Sequence, residues 1–260
     1  MRAALLTLLC LVASLPARAE IALAPLRQVI TEEARTVTYR LSNPSRRIVE
    51  GRVSWIDMVA TETGYAPASA EDRSRISAAP YLTVWPAFFK LEPGASATIT
   101  VAARGTIPNG ERRSHLLIET GAARTPLRRA GGLELDIGLG VSTPVVLRGG
   151  EGDARARIGD TRLLRDRGGL LELSTTVMPD GDFSAYGRLI VRLTSQDGDV
   201  IDLASLDNAA AWNDAERRRF SLPLGVNYLP PGVLEIVYAG RAEFDGRVFA
   251  RRSFEVAPPK

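Results

Sequence analysis

Residues Leu133–Leu147 read LELDIGLGVSTPVVL and carry the strongest strand signal in the chain. Every second residue is apolar, namely Leu133, Leu135, Ile137, Leu139 and Val141. A strict period of two places these side chains on one face of an extended strand. The run 149–152 (GGEG) follows one residue later and predicts the end of a domain.

The residues before this stretch form short segments with β periodicity, divided by turn residues. Arg35–Ser42 (RTVTYRLS) and Ser96–Ala102 (SATITVA) alternate, and NPS at 43–45 and EPG at 92–94 are turn signals. About seven such strands in roughly 130 residues predict a β-sandwich of immunoglobulin type. The polar stretch Ala60–Ala79 is expected to be a long loop.

The residues after the glycine-rich run repeat this pattern without repeating the sequence. Asp-Gly pairs at Asp180, Asp197 and Asp245 are strong hairpin-turn signals, and Ala204–Ala215 is compatible with one helical turn. The predicted fold class is therefore all-β, with two immunoglobulin-like β-sandwich domains. The predicted boundaries are a signal peptide at 1–19, a first domain at 20–148, a linker at 149–155 and a second domain at 156–260.

The first 19 residues differ from the rest. A positive start (Met1-Arg2), the apolar run Ala3–Ser14 and the small-residue ending ARA at 17–19 predict a secretory signal peptide cleaved after Ala19. The alternative is an uncleaved anchor, although the run is short for a bilayer. The single cysteine, Cys10, lies inside this segment, so the processed chain has none, and its domains are expected to fold by packing without disulfides.

Composition gives no sign of nucleic-acid binding or catalysis. Cleavage removes two arginines and no acid, so the formal net charge falls from +3 to +1. His115 is the sole histidine, and no His, Cys or carboxylate residues have metal-ligand spacing. The sequence therefore predicts a protein that is not an enzyme, with no catalytic residues, metal, cofactor or small-molecule substrate.

Several motifs in order carry a family resemblance. They are Arg27 in the first strand, RTVTYRLSNPS at 35–45, LEPG at 91–94, SATITV at 96–101, ERRS at 111–114 and LELDIGLGV at 133–141. Over residues 20–148 the chain resembles the amino-terminal domain of the periplasmic pilus (fimbrial) assembly chaperones, as a divergent member. The second domain fits by position and class only.

The resemblance implies a function and partners. Pilus subunits lack their last strand, and these chaperones lend a strand whose alternate apolar side chains fill the open groove. Here those side chains would be Leu133, Leu135, Ile137, Leu139 and Val141. The implied partners are pilus, fimbrial or spore-coat-type subunits and an outer-membrane usher. The alternative is that this strand only packs its own sandwich.

The resemblance also implies a clamp for the terminal carboxylate of the subunit. Arg27 matches the arginine of that clamp, whereas Ser142 stands where the family has a lysine. A serine hydroxyl can donate one hydrogen bond but brings no charge. Arg148 lies beyond the strand and would replace the lysine only with a different geometry, and a solvated Arg27 is the alternative interpretation.

A second hypothesis from another class is an envelope or surface adhesion module built of two sandwiches. It predicts exposed aromatic side chains clustered on loops. Trp212 and Tyr228 are its only candidates.

Overall fold

The computed structural model describes residues 21–122 and 139–257. The predicted signal peptide lies outside the described residues. The same holds for Leu133, Leu135 and Ile137 and for the side chain of Leu139.

The first group of strands forms one sandwich. In chain order the elements are β1 (Ala22–Ala24), β2 (Gln28–Ile30), β3 (Thr36–Ser42), β4 (Val49–Ile56), β5 (Met58–Ala60), β6 (Tyr65–Pro67), α1 (Ala70–Ile76), β7 (Leu82–Trp85), β8 (Phe88–Leu91), β9 (Ser96–Ala103), β10 (Gly110–Ala122) and β11 (Leu139–Gly149). One sheet has the order β1-β3-β9-β7 and the other β2-β11-β10-β4-β8, while β5 and β6 form a separate hairpin.

The second group forms another sandwich. Its strands are β12 (Ala156–Arg165), β13 (Leu171–Pro179), β14 (Ala185–Ser195), β15 (Val200–Ala211), β16 (Arg218–Pro223), β17 (Gly232–Gly240) and β18 (Val248–Val256). Its sheets have the orders β12-β13-β16 and β15-β14-β17-β18. The predicted fold class, all-β with two sandwich domains, is confirmed.

Each sandwich is held by its own apolar core, as strand periodicity requires. In β14 alternate residues are buried, so Leu189, Val191 and Leu193 are fully enclosed while Arg192 faces outward. A smaller apolar cluster joins the two sandwiches and includes Val146 and Trp212. Strand β11 therefore contributes to both the first core and the domain interface.

The turn motifs of the first domain meet at one buried side chain, Asn43. Its amide nitrogen donates to the carbonyls of Arg47 (2.7 Å), Leu91 (3.0 Å) and Glu92 (3.2 Å). Its Oδ1 accepts from the hydroxyl of Ser45 at 2.6 Å. The NPS turn and the LEPG turn are thereby tied together, which satisfies backbone groups that water does not reach.

Two local predictions were wrong. Ala60–Ala79 is no simple loop, because it contains strand β6 of the hairpin β5–β6 and the helix α1, and a 3-10 turn begins at its last residue, Ala79. Ser69 begins the helix with a capping box to Asp72. Ala204–Ala215 holds no helical turn up to Ala211, because β15 pairs there with β14. In β15, strand pairing and burial outweighed the helix propensity of its small residues.

Candidate functional site

Strand β11 has an open edge. On one side it pairs with β10 along its whole length, and on the other β2 covers only Val145–Leu147. Among the described strands, none pairs with the outer edge of Leu139–Pro144. Natural edge strands are often guarded by charged side chains, yet residues 137–147 include no charged residue.

The two faces of β11 serve different parts of the molecule. Val145 and Leu147 are fully buried in the first core, and Val141 packs half-buried against the same core. On the opposite face Ser142 is exposed, whereas Val146 contacts the second domain. Strand β11 thus has one apolar face in the first core, while on its other face Ser142 is exposed and Val146 lies at the domain interface.

Arg27 is buried in this cleft. Its Nη1 donates to Oε2 of Glu243 at 2.9 Å and its Nη2 to Oε1 at 2.7 Å, so one carboxylate takes both ends of the fork. The guanidinium lies 4.4 Å from the ring centre of Tyr186. Burial would raise the pKa of Glu243, but the hydrogen bond from Arg27 and the charges of Arg27 and Arg148 outweigh it and hold that pKa below its ordinary value.

Arg148, at the end of β11, forms a second buried ion pair. Its Nε donates to Glu111 at 2.8 Å, its Nη1 to Glu243 at 2.9 Å and its Nη2 to the carbonyl of Ser184 at 3.0 Å. The side chains of Arg148 and Glu111 are 7% and 2% exposed. Ser184 also donates its backbone N–H to Glu111 at 3.0 Å. Both domains therefore contribute to one charge network.

A second cluster of charged and aromatic side chains also joins the two domains. Arg113 donates to both carboxylate oxygens of Asp214, at 3.0 and 2.9 Å, and lies 4.3 Å from the ring centre of Trp212. The indole N–H of Trp212 donates to the Tyr65 hydroxyl at 2.6 Å. Asp214 also accepts from the backbone N–H of Ala60 at 2.8 Å. Hairpin β5–β6 of the first domain therefore contacts the second domain directly.

His115 lies beside hairpin β5–β6. It is 3% exposed, its ring packs edge-on against Tyr65 at 5.0 Å, and neither ring nitrogen has a hydrogen-bond partner among the described residues. Burial, reinforced by the positive charge of Arg113 and opposed by Asp214, lowers the pKa of His115 to about 4. The histidine is neutral in the folded protein at pH 7.

This lowered pKa predicts an acid-sensitive stability. An unfolded His115 titrates near its ordinary pKa of 6.5 and the folded one near 4, so the unfolded state binds more protons in between. Stability is then fully present above about pH 6.5 and falls as pH drops towards 4, by about 3 kcal/mol at most. Urea unfolding at pH 7, 5.5 and 4.5 measures this loss in the free energy of unfolding. His115→Phe should reduce the loss, and an equal loss in that variant would contradict the assignment.

The residues predicted from the sequence have different surroundings in the structure. Arg27 lies in the cleft, where its two terminal nitrogens bind Glu243. No hydrogen bond joins Arg27 to Ser142 in the described ranges. The neighbouring Thr143 hydroxyl donates instead to the carbonyl of Leu26 at 2.6 Å. Sequence reasoning missed Asp214 and Glu243, which had no motif to mark them, and gave Glu111 of the ERRS motif no role in the site. Of the two adhesion candidates, Trp212 is 1% exposed and Tyr228 50%.

Within residues 21–122 and 139–257, no group of three or more His, Cys, Asp or Glu side chains is arranged to hold a metal ion. In those ranges no helix has the length and apolar content to cross a membrane.

Comparison with known proteins finds similarity among solved structures. No family model and no curated protein matches the chain. The CupB2 chaperone of Pseudomonas aeruginosa is 15% identical, with a TM-score of 0.46 over 91% of this chain and 99% of that one. The complex of the Salmonella enterica SafA pilin with the SafB chaperone includes a chain 14% identical, with a TM-score of 0.45 over 93% and 99%.

A third similar structure is the CsuC–CsuE chaperone–tip adhesion subunit complex from the archaic chaperone-usher Csu pili of Acinetobacter baumannii. It is 10% identical, with a TM-score of 0.45 over 91% of this chain and 98% of that one. Pilus assembly chaperones are thus among the structure neighbours, and they are the family that the sequence motifs resemble.

Proposed function

We propose that the chain is an exported chaperone that caps pilus, fimbrial or coat-type subunits by lending them the strand around Leu133–Val141. It acts in the periplasm after its signal peptide is cleaved, uses no cofactor, and hands its subunits to an outer-membrane usher.

The observation that carries this proposal is the open edge of Leu139–Pro144. Its backbone N–H and C=O groups, which no described strand pairs on the outer edge, can extend the sheet of another protein, as in other strand-addition complexes. Pro144 has no N–H and ends the stretch that can pair in this way. The apolar alternation in the sequence runs directly into this edge from Leu133, so side chains and backbone can act together.

The stabilisation of the client would come from burial of apolar side chains. A Leu, Ile or Val side chain transferred from water into a groove contributes about 1.5–3 kcal/mol. Several such residues in one strand are sufficient for tight capture without nucleotide or metal.

Co-expression with a candidate pilus subunit tests the proposal. The native subunit, which lacks its last strand, should be recovered as a soluble 1:1 complex with the chain. A matched subunit with an added strand fused to its own groove should not be captured, because the groove is already filled. Equal recovery of both subunits would contradict strand lending.

A further inference from the structure

The buried arginines of the cleft already have protein partners. Both terminal nitrogens of Arg27 bind Glu243, and the side chain of Arg27 is 4% exposed. The three nitrogens of Arg148 donate to Glu111, Glu243 and the carbonyl of Ser184. The Nε of Arg27 has no hydrogen-bond partner among the described residues but is itself buried, so a carboxylate arriving from another protein would have to displace Glu243 to reach the terminal nitrogens of Arg27.

Glu243 is held in place by the second domain. It lies in the 3-10 turn Ala242–Phe244, which begins with Ala242 at a φ of 56°. This left-handed conformation is unfavourable for a residue with a Cβ, so the surrounding structure imposes it. Phe244 packs edge-on against Phe249 at 5.2 Å and lies 5.2 Å from the guanidinium of Arg148. This turn therefore holds the carboxylate of Glu243 in the cleft.

The space beside Glu243 is also unsuited to another anion. A cavity of about 640 Å³ opens there, and its charged lining comprises Arg148 and the four acids Glu32, Glu33, Glu151 and Glu243. Arg148 is already neutralised by Glu111 and Glu243. A terminal carboxylate entering this cavity would therefore meet excess negative charge.

We propose that Glu243 is a built-in carboxylate that takes the place of the terminal carboxylate of a client in the arginine cleft. Capture by this chain is therefore independent of the carboxyl terminus of the subunit, and the lent strand alone sets the register. This inference rests on the proposed function and deepens it. It assigns Glu243 as the residue that decides which end group the cleft accepts.

The test is a competition within one cell between two forms of the same candidate pilus subunit. One form ends at its native carboxylate, and the other has a Gly-Ser-Gly extension that moves the carboxylate away. The wild-type chain should recover the two forms in a ratio within about two-fold. Glu243→Gln removes the built-in charge and frees Arg27, so the native form should be favoured by about ten-fold or more, as expected for a charge-assisted contact.

The control variant is Asp207→Asn, which removes an exposed acid of the second domain paired with Arg188 and Arg241. Its ratio should equal that of wild type. A ten-fold preference for the native form in wild type would overturn the inference, and so would an unchanged ratio in Glu243→Gln. A general loss of stability lowers both recoveries and does not move their ratio. Recovery of neither form by the wild-type chain would contradict strand lending itself.

Discussion

Capture of a pilus subunit is expected to fall at least about 100-fold when Leu135 and Ile137 are both replaced by aspartate. Each apolar side chain in a client groove contributes about 1.5–3 kcal/mol, and a buried carboxylate without a partner adds a further penalty. The measurement is the amount of subunit that co-purifies with the chain after co-expression.

The sequence supplies a matched control for this pair. Glu134 and Asp136 alternate with the apolar residues in the same stretch, so Glu134→Asn with Asp136→Asn should leave capture within a few-fold of wild type. Thermal unfolding separates the two interpretations of the strand. If it only packs its own sandwich, the aspartate variant loses stability by several kcal/mol. If it is lent, unfolding of the free chain changes little while capture is lost.

Arg148→Ala is expected to lower the free energy of unfolding by about 3–5 kcal/mol. The substitution leaves Glu111 buried without its cation and removes a contact to the carbonyl of Ser184 across the domain interface. Breaking a buried ion pair from one side has this cost because the remaining charge stays desolvated. Denaturant unfolding followed by tryptophan fluorescence measures it, since Trp212 lies at the interface.

Two variants control for this effect. Arg192→Ala removes a cation from the exposed pair with Asp202 and should change stability by no more than about 1 kcal/mol. Removing both buried charges, in Arg148→Met with Glu111→Gln, should recover much of the loss because no unpaired charge remains. Equal losses for Arg148→Ala and Arg192→Ala would show that the buried network does not stabilise the interface.

Local periodicity was sufficient to predict the fold class. The alternation of β3, β9 and β14 and the turn dipeptides between strands are properties of neighbouring residues, and the structure has strands at these places. The hairpin β5–β6 escaped prediction because its strands have three residues each, too few for a period of two to be evident.

The charge network of the cleft could not be read from local patterns. Arg27 and Glu243 are separated by 216 positions, and Arg113 and Asp214 by 101. Only the packing of the two domains brings these groups together. The family resemblance pointed to Arg27 and predicted an external carboxylate for it. In the structure Arg27 binds the internal carboxylate of Glu243, which lies in a turn that no spacing rule marks, and the external carboxylate stays a prediction.

The most direct test of strand lending is hydrogen exchange along β11 in the free chain and in its complex with a pilus subunit. The backbone amides of Leu139–Thr143 that face the open edge should exchange rapidly in the free chain. In the complex they should become protected at least about 100-fold, because the client pairs with that edge. A stable complex in which exchange across 139–143 is unchanged would contradict the account.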